Sequence, residues 1–82
     1  MENKIVAMVY SFQHGMQEFQ NVELVRLKSR QVNLLIMEDH LPLLGDITGT
    51  VEILANGEQI VLEDIDGYYM HKKNVFKLIL KD

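Results

Sequence analysis

The side chains with the chemistry to act on a ligand are few: His14, His40 and His71, the acids Glu63, Asp64 and Asp66, and the serines Ser11 and Ser29. The histidines are far apart and lack the His-x-x-x-His type of spacing that lets two imidazoles reach one metal ion. The three acids lack the set offsets and longer frame of a calcium loop, so a solvated turn is expected there. Neither serine stands in a nucleophile motif. The GDITG run at 45–49 has too few glycines to cradle a phosphate. No cysteine is present, which removes thiolate and disulfide chemistry and suits a reducing compartment. No catalytic residue, cofactor site or metal site is therefore expected, and the chain reads as a binding module rather than an enzyme. Only His40 stands out, between acids and a proline. It is either a histidine that fixes its loop by hydrogen bonding or part of a contact surface, and the two are compatible.

The chain has 82 residues, enough for one domain spanning 1–82 and one core. Its hydrophobic fraction of 48% and charged fraction of 24% are ordinary for a folded soluble domain. Net charge is −4, which argues against nucleic acid, because phosphate binding needs clustered positive charge. No apolar run approaches the roughly 20 residues that span a bilayer, and the short apolar stretch after Lys4 argues against a secretory leader. Charge is uneven. Eight acids and no Lys or Arg lie between Glu38 and Asp66, with basic residues on both sides. That stretch is read as a solvated face, or else as an electrostatic patch for a partner.

The elements that must position these residues repeat with period two rather than 3.6. Strands are expected over 4–11, 16–20, 22–28, 32–37, 50–55, 59–62, 68–71 and 75–81. Ser29 and Arg30 make a turn, 38–42 a loop ending on Pro42, and 63–67 an acidic turn. Asn56-Gly57 is the strongest local signal, since both residues tolerate the positive φ of a type I′ hairpin. In the last strand Phe76, Leu78 and Leu80 share one face. Tyr68 and Tyr69 point to opposite faces, one to the core and one outward as a partner anchor. Met8 and Met37 are expected to fill the core. The predicted fold is all-β: a small two-sheet β-sandwich or flattened barrel of about seven to ten short, mostly antiparallel strands with no substantial helix.

The order of motifs resembles the N-terminal β-sandwich domain of the ATP synthase epsilon (delta/epsilon) chain. In the stretch 25–44 a strand, a short loop and a second strand lead into a His-x-Pro-Leu motif, here His40, Pro42, Leu43 and Leu44. A Gly-led strand from Gly49 follows, then a hairpin. Asp66-Gly67-Tyr68 stands for the family's Gly-Gly-aromatic segment, and Asn74-Val75-Phe76-Lys77-Leu78 for its final strand. Three glycines and a proline usual before the His-x-Pro motif are absent, and Asp66 replaces a common glycine. The sequence is similar to a divergent member that lacks the C-terminal helical pair, so no inhibitory arm and no bound nucleotide are expected.

That resemblance implies a non-catalytic subunit of the central stalk of an F-type rotary ATP synthase or ATPase, coupling the gamma subunit to the c-ring for proton or sodium transport. It implies a peripheral place at the cytoplasmic face of the cell membrane, without insertion into it. The loop Ser29, Arg30, Gln31, Val32 and Asn33 is expected on the c-ring side, with Asn33 in place of a common acid. Ser11, His40 and Gly45 are expected on the gamma side. The alternative is a free-standing β-sandwich adaptor that binds another protein through its acidic stretch or an edge strand.

Overall fold

The computed structural model describes residues 4–81. Residues 1–3, which bear on the leader argument, and Asp82 lie outside the described residues. Six strands follow in order: β1 (Ile5–Ser11), β2 (Gly15–Lys28), β3 (Asn33–Met37), β4 (Leu43–Ala55), β5 (Glu58–Lys72) and β6 (Val75–Leu80). Strands β1, β6, β5, β4 and β2 close into a barrel through the β1–β2 pairing, and β3 adds to β2 outside the ring. All pairings are antiparallel except β1 with β6. The fold is all-β, as predicted.

The strands are fewer and longer than the turn signals suggested, because three of them bend without ending. Strand β2 pairs first with β1 and then with β3 and β4, and its register slips between Val22 and Leu24, beside Asn21 at φ 56°. Strands β4 and β5 slip together: Gly49 faces Ile65 but Val51 faces Leu62, with Asp64 at φ 56°. Bulges of this kind add a residue, sharpen twist and turn a strand. The barrel thus flattens into two layers, one of β3 with the second half of β2, the second half of β4 and the first half of β5. The other layer holds β1, β6 and the remaining halves. Counted by halves, the six strands supply nine segments.

Two expectations change here. The acidic segment 63–67 is not a turn but the bulged middle of β5. A strand over 43–48 escapes the sequence pattern, because only Ile47 of it is fully buried and the rest is exposed or partly so.

Burial follows the bulges. Inward residues run Val22, Val25, Leu27 in β2 and Ile47, Val51, Ile53, Ala55 in β4. In β5 they run Ile60, Leu62, Ile65, Gly67, Tyr69, His71, with the three-residue step marking the bulge. Ile5, Ala7, Val9, Phe76 and Leu78 complete the core. Met37 is not core: it is 51% exposed on the outward side of β3, because Ile36 takes the inward place. Met8 also faces outward, between inward Ala7 and Val9, and is half-buried. Tyr69 is the core tyrosine and Tyr68 the exposed one.

Candidate protein-binding surfaces

The β2–β3 turn is built by one serine. The Ser29 amide donates to the Val32 carbonyl at 2.7 Å, and its Oγ accepts from the amides of Gln31 and Val32 at 3.2 and 3.0 Å. Arg30 and Gln31 are left at the exposed tip, while Asn33 opens β3 opposite Lys28. Gly49 lies close against this turn, and a Cβ there would collide with the Lys28 carbonyl oxygen. Hollows of about 590 and 380 Å³ flank the turn, shared with Thr48 and the acids Asp46, Asp64 and Asp66. At the same end, Thr48 Oγ1 donates to Asp66 at 3.1 Å and Lys81 lies 3.6 Å from it. Asp66 chiefly, and then Tyr68 under the ammonium, hold the Lys81 pKa above its ordinary value. This end is polar, with both signs of charge.

The opposite end carries His40 and His71. His40 is half-buried, and its Nδ1–H donates to the Leu41 carbonyl at 2.8 Å, which gives it the loop-fixing role. Asp39, at φ 66°, is held by Asn74: its amide donates to Asn74 Oδ1 at 2.7 Å and its carboxylate accepts from Asn74 Nδ2 at 3.2 Å. His71 is fully buried and neither ring nitrogen has a hydrogen-bond partner. It meets His40 edge-to-face at 6.1 Å and Phe76 at 6.4 Å. Burial, with a smaller contribution from neighbouring His40, pushes its pKa below the ordinary value. Beside it, Pro42, Leu43, Leu44 and Met70 line a shallow apolar groove of about 400 Å³.

His40 and Gly45 lie near one another on the β4 margin, since Leu43 faces His71 and Gly45 faces Tyr69. A Cβ at Gly45 would meet Tyr69 Oη at 2.7 Å. Ser11 is not beside them. The register runs Gly45–Tyr69–Leu78–Val9, three strand spacings or about 14 Å, and Ser11 is two residues further on. Its Oγ accepts from the amides of Gln13 and His14 in the β1–β2 turn, at the Ser29 end of the barrel.

What joins Gly45 to Ser11 is an outward face that the sequence reading missed. Register places Leu44, Met70, Lys77 and Met8 in one row and Asp46, Tyr68, Ile79, Tyr10 and Met16 in the next. Leu44 is 77% exposed, and Tyr68 and Ile79 are each 51% exposed. Outward positions of a half-solvated sheet are normally polar. The signal was available as apolar residues at the parity opposite Phe76, Leu78 and Tyr69. The acids of the acidic stretch are divided, with Asp46, Asp64 and Asp66 around the Ser29 turn and others on separate faces. Glu52 lies on the first layer, 3.9 Å from Lys28, and Asp46 on the second. Among the described residues no group of three or more potential ligands is placed to hold a metal ion.

No family model matches the chain, and no curated protein does. Its fold is shared with a chain in the cryo-EM structure of the Tetrahymena thermophila mitochondrial ATP synthase central stalk/c-ring, at a TM-score of 0.72 and 16% identity. The match covers 99% of this chain and 66% of that one.

Proposed function

We propose that this domain is a non-catalytic central-stalk subunit of an F-type rotary ATP synthase or ATPase, linking the gamma subunit to the c-ring. The observation that carries the reading is the apolar outward face of the second layer. It runs from the His40–Gly45 margin to the Ser11 end, with Lys77 within it and Asp46 at its edge, and exposed apolar patches of this kind mark docking surfaces. The likeness of fold to a chain in an ATP synthase central stalk/c-ring structure supports it. Gamma docks on that face, with Tyr68 and Ile79 as anchors and the Pro42–Leu44 groove at its margin. The polar turn Ser29, Arg30, Gln31, Val32 and Asn33 meets the polar loops of the c-ring. The complex sits at the cytoplasmic face of the membrane, and this domain is peripheral to it. A bulged, closed barrel suits the task, since a ring of strands has no free layer to shear when torque passes through it.

Binding of the purified chain to its cognate gamma subunit, measured by calorimetry, tests the first contact. Binding is expected, and Ile79→Asp should weaken it by at least about tenfold, as for a buried anchor. Arg30→Glu should leave gamma binding intact and reduce retention of the gamma complex on the c-ring. Absence of gamma binding in both low and moderate salt would sink the reading.

A further inference from the structure

The two outer margins of the first layer differ in kind. The first half of β5 carries Glu58, Glu63 and Asp64, the usual protection against edge-to-edge pairing. Strand β3 carries no charge at all. Among the described residues it pairs only with β2, and its exposed side chains are Asn33, Leu35 and Met37. Charge appears just beyond its two ends, with opposite sign: Arg30 in the turn before it, Glu38 and Asp39 after it, while Lys28 lies behind the edge on β2, across from Asn33 and 3.9 Å from Glu52.

We propose that β3 is a self-pairing edge, joining a second copy of this chain antiparallel about a two-fold axis at Leu35. Side-chain parity restricts the register. For inward residues of both copies to share one side of the joined sheet, partners must sum to an even number. Centring on Leu35 pairs all five residues: Leu35 with Leu35, Leu34 with Ile36, Asn33 with Met37. It also brings Arg30 of each copy to the Glu38–Asp39 end of the other. A parallel arrangement would set like charges together. The distribution of charge thus selects an antiparallel second copy as occupant, and a two-fold makes every favourable contact twice. A copy paired in this way has its 29–33 turn against its partner and cannot present that turn to the c-ring. That consequence rests on the stalk reading; the pairing itself does not.

Sedimentation velocity of the full chain from about 10 μM to about 1 mM, the range expected of a small interface, tests the pairing. The wild type is expected to shift toward twice its 9.5 kDa mass as concentration rises. Leu35→Lys places like charges directly opposite one another and should remain monomeric, as should Leu35→Glu. Leu35 points outward, so both variants keep the core. An equimolar mixture of the two should dimerise again, with Lys facing Glu at the axis. A wild type that stays monomeric throughout, a dimer that survives Leu35→Lys, or a mixture that stays monomeric overturns the proposal. None of these outcomes bears on gamma binding, which uses the other layer.

Discussion

At the scale of residues, His71 is the most exacting position in the molecule. Its ring is enclosed by Phe76 and His40, has no hydrogen-bond partner and is kept neutral by burial. The unfolded chain binds a proton near 6.5, the folded chain only at lower pH. The unfolded state therefore holds more protons across that interval, and stability rises with pH through it. The His71 contribution is complete above the unfolded value and declines as pH falls from there toward the lowered folded value. Urea unfolding followed across this interval should show the decline in the wild type, and His71→Leu should remove the part owed to His71. Equal slopes in the two proteins would refute the assignment. Gly45 is constrained as closely but by shape alone, since the Tyr69 phenol occupies the space where a Cβ would stand.

At the scale of elements, two hairpin turns show how far local rules reach. Asn56 and Gly57 adopt φ 53° and 77° between paired Ala55 and Glu58, the type I′ geometry that Asn-Gly announces. Lys73 and Asn74 adopt φ 51° and 61° between paired Lys72 and Val75, the same geometry without a glycine. Asn74 tolerates this and gains the bonds to Asp39, whereas Lys73 bears a side chain in the left-handed region at a cost of about 1–2 kcal/mol. Glycine there relieves that strain and loses about 0.5–1 kcal/mol to chain entropy. Lys73→Gly should therefore raise stability by about 0.5–1 kcal/mol, read as a shift in urea midpoint at constant slope. No gain would mean that the strain at Lys73 does not exceed the entropy lost to glycine.

At the scale of the whole molecule, the parallel pairing of β1 with β6 closes the ring by joining the first strand to the last. Phe76 sits at that closure, fully buried among residues from both layers. Phe76→Ala should cost about 3–5 kcal/mol, the usual range for emptying a buried aromatic site. Small domains hold only about 5–15 kcal/mol, so much of the cooperative transition should be lost. Leu41→Ala, at a side chain 78% exposed, should change stability by less than about 0.5 kcal/mol. Denaturation of the two variants by circular dichroism separates core from surface, and a similar loss in both would contradict the burial described.

The sequence by itself determined the class of fold. Period-two patterning, the Asn56-Gly57 turn and the inward set Phe76, Leu78, Leu80 depend on neighbours along the chain and survive in any all-β arrangement. It also announced that one of Tyr68 and Tyr69 is core. It did not determine that strands run through 21, 49 and 64, because a bulge keeps hydrogen bonding while breaking the alternation that marks a strand. It misplaced Met37 for a different reason: an apolar run such as 33–37 reads as buried on both sides, and only the layer laid against it decides which parity faces water. The turn at 29–33 and an outward tyrosine were legible in the sequence, but assembly of the second-layer face belongs to tertiary structure. Pairing of β4, β5, β6 and β1 brings Leu44, Tyr68, Ile79 and Tyr10 from distant parts of the chain onto one face, while Ser11 and His40 fall at opposite ends. Register across strands, which no local pattern encodes, sets both outcomes.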